Sequence, residues 1–213
     1  MTLRTFSLLL LASLGCSCGR GGDEMSRFHD DGRAKPTVVV ASMIDTSSFD
    51  CAWNLSEELT SMVVRQLGGN GTVYVQAKED VSFIDNPFGT NLSWVKAQFP
   101  QSQEFAVFLE LVKHETVPEN KGNFTSMQEL SHNLNMAVRV RVIDLRGSFP
   151  KIVLQEMVRD SYYIPKTLLP TDYNQVVWGS DGYNQSPMGI AHAHLTDAIV
   201  ARLNDYILLA KSR

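Results

Sequence analysis

The sequence lacks an excess of basic residues, a set of cysteines and the common catalytic motifs. It has 19 lysines and arginines against 23 aspartates and glutamates, a net charge of −4, so no positive charge is available to neutralise nucleic-acid phosphates. With only three cysteines in 213 residues, the fold must rest on a buried core, which a chain of this length can supply without a metal or a disulfide mesh. Because no G-x-S-x-G, Walker, H-E-x-x-H or G-x-G-x-x-G motif occurs, we predict no catalytic residue, cofactor or metal.

No apolar run near the start is long enough to cross a bilayer. Residues 6–14 form a run of nine, whereas a spanning helix needs about 20, so the run predicts a cleavable secretory signal. The following Ser-Leu-Gly-Cys resembles the bacterial lipobox, although Ser13 stands where leucine is usual. The resemblance implies cleavage after Gly15 and attachment of diacylglycerol to Cys16, with Cys18 as a weaker alternative acceptor.

Two other interpretations of this segment are an ordinary soluble signal peptide and a Cys-x-Cys metal site. The metal site is disfavoured because no nearby histidine or cysteine completes a tetrahedral set. We therefore expect a lipoprotein of the bacterial envelope, diacylated and palmitoylated, in the outer membrane and facing the periplasm. Residues 1–15 would be the signal peptide, 16–36 the lipidated N-terminus with a flexible linker, and 37–213 a single domain.

Periodicity predicts an α/β domain with the order β-α-β-α-β-β-β-α, in which helices pack on one mixed sheet. The predicted strands are 37–42, 72–76, 104–112, 134–145 and 152–159. The predicted helices start at 55, 91 and 187, and two polar stretches, 113–131 and 161–186, connect the later elements.

Helix-terminus signals place the ends of the predicted helices. Asn54 and Ser186 are expected N-caps, and Thr90 is expected to cap the short middle helix. Gly68-Gly69 is expected to end the first helix in a positive-φ conformation.

The order of elements resembles a group of envelope domains. The similarity lies in the strand Val38–Ala41, the polar loop Asp45–Ser48, the helix from Leu55, and the later strand, hairpin and terminal helix. The group includes the LpoB-type lipoprotein activators of penicillin-binding proteins, the curli-secretion lipoprotein CsgG and the N-terminal domain of TolB. The resemblance implies a periplasm-facing binding domain. It transfers no catalytic residue, and this linker lacks the long proline-rich tether of the activators.

The polar residues that could carry chemistry have plainer interpretations. His192 and His194 are two apart on a helix and point about 200° away from each other, so they cannot share a metal ion. His114 is expected to be a solvated histidine at a strand end. Arg141 is expected on the outer face of its strand, paired across the hairpin with Glu156.

The long segment 161–186 is the most informative stretch for function. Loops of this length are usually functional or disordered, and its aromatic content disfavours disorder. Aromatic residues are enriched at interface hot spots, although they can equally cover one face of the sheet. The predicted partner-binding residues are the aromatic ones, Tyr162, Tyr163, Tyr173, Trp178 and Tyr183.

These observations predict a non-enzymatic binding or adaptor module. The expected partner is another envelope protein, either a penicillin-binding protein activated for peptidoglycan synthesis or subunits of a secretion or trans-envelope assembly, including copies of this chain. A hydrolase with dispersed catalytic residues, such as Asp45, Ser47 and His114, is a third possibility that no spacing supports.

Overall fold

The computed structural model describes most of the chain after the N-terminal segment. The described residues are 27–78, 86–99, 102–119, 131–168, 171–172 and 174–213. The lipidation residues Cys16 and Cys18 lie outside these ranges, as does Tyr173. No helix in this part of the chain is both long and apolar enough to cross a membrane.

One open mixed sheet organises the described residues. Its strands are β1 (Thr37–Ala41), β2 (Ile44–Asp45), β3 (Tyr74–Lys78), β4 (Phe105–Pro118), β5 (His132–Asp144) and β6 (Lys151–Ile164). The order across the sheet is β3-β1-β4-β5-β6, and β2 pairs with β4 beyond the end of β1. The strands β1, β2, β3 and β4 are parallel, whereas β5 and β6 add as antiparallel neighbours.

Four helices accompany this sheet: α1 (Leu55–Gly69), α2 (Val95–Gln98), α3 (Asp181–Asn184) and α4 (Pro187–Lys211). The long helices α1 and α4 cover one face and bury the main core against alternate residues of the strands. The short helix α2 covers part of the other face, where Trp94, Val95 and Phe99 pack on Phe108. These two layers confirm the predicted mixed sheet packed by helices.

The register gives the sheet two distinct ends. Val75, Val38, Phe105, Asp144 and Lys151 stand in one row across the five main strands. We call this the hairpin end, because the β5–β6 turn and the last turn of α4 also lie there. The opposite, loop end holds the starts of α1 and α4, the last residues of β4 and β6, and the described residues between β6 and α3.

The alternating pattern of β5 is confirmed, and the strands around it extend further than the sequence predicts. Leu134, Met136, Val138, Val140 and Val142 all face the main core. Both β4 and β6 have 14 residues, so the first part of the 113–131 stretch and the first part of the 161–186 stretch are strand. Polar residues on these extensions are compatible with strand because one face of each is solvated.

The N-caps of α1 and α4 and the end of α1 at Gly69 are confirmed. The Thr90 cap and the positive φ at Gly68-Gly69 are wrong. The side chains of Asn54 and Ser186 accept the expected N-cap hydrogen bonds at α1 and α4. Thr90 does not cap α2, which begins at Val95 after Trp94 without a side-chain cap. Helix α1 runs through Gly69, and the positive φ of 68° falls at Gly71.

Arg141 is buried rather than solvated, and its predicted pairing with Glu156 is wrong. Its guanidinium donates to the carbonyl oxygens of Pro87, Phe88 and Gly89 and to Gln155 of β6. Glu156 lies on the opposite face of its strand and faces Arg202 of α4. The period of two explains the error, because adjacent residues of a strand point to opposite faces.

Candidate functional site

A buried polar cluster at the loop end joins α1, β4 and α4. Its members are Glu58, His192, His114, Tyr183 and Trp53, which we call the Glu58 cluster. The Glu58 and His192 side chains are fully buried, and their carboxylate and Nδ1 atoms lie 2.8 Å apart. The same carboxylate accepts hydrogen bonds from Nε1 of Trp53, at 2.7 Å, and from the Tyr183 hydroxyl. One acid thus binds three donors from three segments of the chain.

The two histidine rings extend this cluster as a chain of hydrogen bonds. Nε2 of His192 lies 2.9 Å from Nε2 of His114, and the rings meet nearly edge to face. When both rings are neutral and Nδ1 of His192 donates to Glu58, Nε2 of His192 must accept the hydrogen of His114. The remaining Nδ1 of His114 then carries a lone pair, and it finds no hydrogen-bond partner within the described residues.

Burial and hydrogen bonding set the charges of this cluster. Burial alone would raise the pKa of Glu58, but the hydrogen bond from His192, with those from Tyr183 and Trp53, holds that pKa below its ordinary value. Glu58 is therefore an anion at neutral pH. Burial, followed by the proximity of His192, lowers the pKa of His114 to about 4. His114 is therefore neutral at pH 7.

Local sequence explains how these side chains come together. Glu58 lies on the buried face of α1 between Leu55, Leu59 and Met62, and His192 follows Ala191 on the buried face of α4. His114 lies on the helix-covered face of β4. The sequence did not predict that Glu58 and His192 are partners. On each of the two helices, however, one position in the apolar stripe carries a polar side chain, a carboxylate on α1 and an imidazole on α4. That pattern is the signal that could have identified them.

The Glu58 cluster fixes two connecting segments to the helices. Trp53 precedes α1, Tyr183 lies in α3, and their rings meet edge to face with centroids 5.6 Å apart. Phe49 packs against the His114 ring at 4.2 Å. Because Glu58 and His192 have no solvent exposure and His114 only 3%, the cluster acts as an internal clamp. It presents no open surface to a substrate.

The suggested hydrolase residues do not form one catalytic group. Ser47 donates to Asp45 at 2.7 Å, a local turn contact two residues apart that leaves the serine without a histidine base. The predicted solvation of His114 is wrong, because its ring lies in the Glu58 cluster. The described residues contain no group of three or more histidine, cysteine or acidic side chains able to hold a metal ion.

The predicted partner-binding aromatics occupy different environments. Tyr163 is half exposed on β6, and Tyr162 contacts the ring of His194 on α4. Trp178 packs against the main core, and Tyr183 is buried in the Glu58 cluster. These positions divide the set into anchors that hold the segment and residues that reach the surface. The surface also includes Leu168, half exposed, and Val177, 73% exposed.

Cys51 is a free, partly buried thiol beside this cluster. Burial raises its pKa, backbone hydrogen bonds oppose that rise, and the nearby Glu58 carboxylate adds to it. The thiol therefore stays protonated at neutral pH, which makes it a poor nucleophile.

The family model described as "Family of unknown function (DUF7499)" matches residues 24–211. The chain belongs to this family. Every residue of the Glu58 cluster lies inside the matched range. A search of the curated proteins finds no match.

The chain is similar to several solved structures. The hypothetical protein CT253 from Chlamydia trachomatis is 23% identical with a TM-score of 0.65, and the match covers 82% of this chain and 98% of that one. Lipoprotein GNA1162 from Neisseria meningitidis is 11% identical, with a TM-score of 0.37 and coverages of 80% and 99%. A minor lipoprotein from Acinetobacter baumannii is 12% identical, with a TM-score of 0.34 and coverages of 79% and 92%.

Proposed function

We propose that this chain is a lipid-anchored, non-enzymatic binding module of the bacterial envelope. In this proposal Cys16 carries the lipid, and the loop end of the domain binds another envelope protein. The Glu58 cluster supports a binding role over a catalytic one, because its acid and both histidines are closed to solvent. Its unpartnered nitrogen belongs to a ring packed behind Phe49.

The observation that carries the proposal is the exposed apolar surface at the loop end. Val177 is 73% exposed, and Leu168 and Tyr163 are half exposed. Their neighbours Trp178 and Tyr183 pack into the domain, so the backbone that bears Val177 is held in place. A preordered surface loses less conformational entropy on binding, and exposed apolar groups gain free energy when a partner covers them.

The first candidate partner is a penicillin-binding protein, which the module would activate for peptidoglycan synthesis. The resemblance to the LpoB-type activators suggests it. The alternative is a secretion or trans-envelope assembly built from copies of this chain or with other subunits. The 14-residue strand β6 favours that alternative, because its outer edge pairs with no other strand of the described sheet and unpaired edges template further strand pairing.

Site-specific photo-crosslinking in intact cells tests the proposal. A photoreactive amino acid placed at Val177 should capture a penicillin-binding protein, identified by mass spectrometry, and the same probe at exposed Arg65 of α1 should not. Leu168→Asp should abolish the Val177 crosslink while leaving the melting temperature unchanged. A ladder of self-crosslinked chains would establish the assembly alternative. Equal labelling from Val177 and Arg65 would refute a binding surface at the loop end.

A further inference from the structure

Cationic and apolar side chains meet at the hairpin end of the sheet. A cleft of about 370 Å³ lies there between the start of β6 and the last turn of α4. Three cationic side chains and one acidic side chain line it, together with apolar residues. The cationic ones are Arg146, Lys151 and Arg213, and the acid is Asp144.

The apolar side chains around this cleft are unusually exposed for a soluble domain. Phe149, in the β5–β6 turn, is 84% exposed, more than any other large apolar side chain described. Leu209, which lines the cleft, is half exposed, and Ile152 and Leu208 are 37% and 39% exposed. Apolar residues that project beside basic ones are typical of surfaces that enter the interfacial region of a membrane.

Arg146 holds this surface together. It pairs with Asp144 at 2.7 Å and donates to the carbonyl oxygen of Ala210 at 2.7 Å, which joins the β5–β6 turn to the C-terminus of α4. Lys96 of α2 donates to the carbonyl oxygen of Gly147, which holds the turn from the other side. Phe149 therefore projects from a turn that is fixed at both flanks.

The chain that leads to Cys16 leaves the domain at this same end. The guanidinium of Arg27 lies over the ring of Tyr74, 4.9 Å from its centroid, and Tyr74 pairs with Thr37 one residue before the row that defines the hairpin end. The ten residues 17–26 can span at most about 36 Å when fully extended. A lipid at Cys16 would keep the hairpin end, rather than the loop end, near the bilayer.

We propose that the hairpin end docks on an anionic phospholipid surface. Phe149 and Leu209 enter the headgroup boundary, and Lys151 and Arg213 contact lipid phosphates. The whole chain carries a net charge of −4, so an anionic bilayer would repel most of the domain and attract this end. This proposal rests on the lipid anchor of the proposed function, which identifies the membrane concerned and keeps the hairpin end near it. Docking there turns the loop end, with Val177, toward the periplasm.

A fluorescence experiment on the full-length chain tests the docking. The chain, purified from solubilised membranes, is reconstituted into vesicles of equimolar phosphatidylglycerol and phosphatidylcholine, or of phosphatidylcholine alone. An environment-sensitive fluorescent amino acid at Ser148, beside Phe149, should shift to shorter wavelength and resist an aqueous quencher only in the anionic vesicles. Raised salt should reverse the effect, because it screens exposed charges. The same probe at Lys166 of the loop end should stay open to the quencher.

Matched variants identify the residues responsible. Each basic residue near an anionic surface contributes about fivefold in affinity, so the double variant Lys151→Gln and Arg213→Gln should lower the docked-to-undocked ratio roughly 25-fold. Phe149→Ser should lower it on its own. The control double variant, Arg159→Gln and Lys166→Gln, removes the same charge elsewhere and should leave the ratio unchanged. Unfolding curves verify that each variant remains folded.

Vesicle flotation separates failure of the docking from failure of the anchor. If the chain floats with both vesicle types and the probe at Ser148 is equally quenched in both, the anchor is supported and the docking is refuted. Flotation only with anionic vesicles, with Ser148 protected, would support docking and contradict the anchor. Protection that grows with protein concentration in detergent alone would show that a second copy covers this end, which also overturns the proposal.

Discussion

At the scale of single residues, the Glu58 carboxylate is the group on which the stability of the loop end depends. It lies in the interior with donors from Trp53, Tyr183 and His192. A buried charge is stable only when its hydrogen-bonding capacity is satisfied. Each donor comes from a different segment, so the three segments must fold around the acid together.

Glu58→Gln should therefore destabilise the domain. The amide keeps the shape of the acid but removes the charge and turns an N–H toward groups that are themselves donors. We expect a loss of about 2–4 kcal/mol in the free energy of unfolding, measured by urea denaturation. Glu57→Gln, at the adjacent exposed position, should change it by less than about 1 kcal/mol. Equal effects of the two variants would contradict the buried charge.

His114 makes the stability of the fold depend on pH. Its pKa is about 4 in the folded chain and has an ordinary value of 6.5, so the unfolded chain binds more protons between these values. Stability must then fall as the pH falls through this window. By pH 4, protonation of His114 in the unfolded chain lowers the free energy of unfolding by roughly 3 kcal/mol.

The variant His114→Gln isolates this contribution. Glutamine can still donate to His192 but does not titrate. When the pH is lowered from 7 to 4, the unfolding free energy of the variant should therefore decrease less than that of the wild type. Urea denaturation at several pH values measures the difference. Parallel pH profiles for the two proteins would show that His114 is not the titrating group.

At the scale of elements, the junction of α3 and α4 determines where the loop-end surface stands. Ser186 caps α4 and accepts from the backbone N–H of Gly189, while Tyr183 of α3 enters the core one turn earlier. The backbones are so close that a Cβ on Gly189 would stand 2.1 Å from the Tyr183 carbonyl oxygen. The glycine permits this approach, and the approach places Tyr183 on Glu58.

Gly189→Ala should move α3 and loosen Tyr183. Because the blocking atoms are backbone, they cannot yield by a rotamer change, and we expect a loss of about 1–3 kcal/mol in unfolding free energy. Hydrogen exchange should increase at residues 178–185. Gly182→Ala, whose Cβ would meet only Ser180 Oγ at 3.9 Å, is the matched control and should be neutral. If both variants behaved alike, the close packing at Gly189 would not matter.

At the scale of the whole molecule, the sheet separates two surfaces. The hairpin end carries exposed Phe149 among basic residues, and the loop end carries exposed Val177 above a clamped core. The parallel strands β1, β3 and β4 begin at the hairpin end, so the chain enters the domain there. The topology alone therefore puts the N-terminal entry of the chain and the apolar loop surface at opposite ends.

Cys16→Ala should release the chain from membranes. Without the thiol no diacylglycerol can be attached, so the lipid mass should disappear and the protein should fractionate with the soluble contents of the envelope, as followed by mass spectrometry and membrane fractionation. Cys18→Ala should leave lipidation unchanged. Lipid retained in Cys16→Ala but lost in Cys18→Ala would move the attachment to Cys18.

Local sequence patterns account for the helices and strands and for the faces that they bury. Alternation in β5, the apolar stripe of α1 and the caps at Asn54 and Ser186 are local patterns, and local geometry alone decides whether such patterns form strand or helix. A mixed sheet packed by helices follows from their order. The ends of β4 and β6 were harder to predict, because cross-strand pairing prolonged them through polar residues.

Which polar residues meet depends on how the layers of the fold pack together. Glu58 and His192 are 134 positions apart in sequence, and their separate segments show only one polar residue on an apolar stripe. Arg141 likewise gained its partners from the segment 87–89 on the far side of the sheet. A buried polar group needs hydrogen-bond partners, and the packing of the layers decides which residues lie close enough to supply them. Sequence periodicity carries no information about contacts between layers.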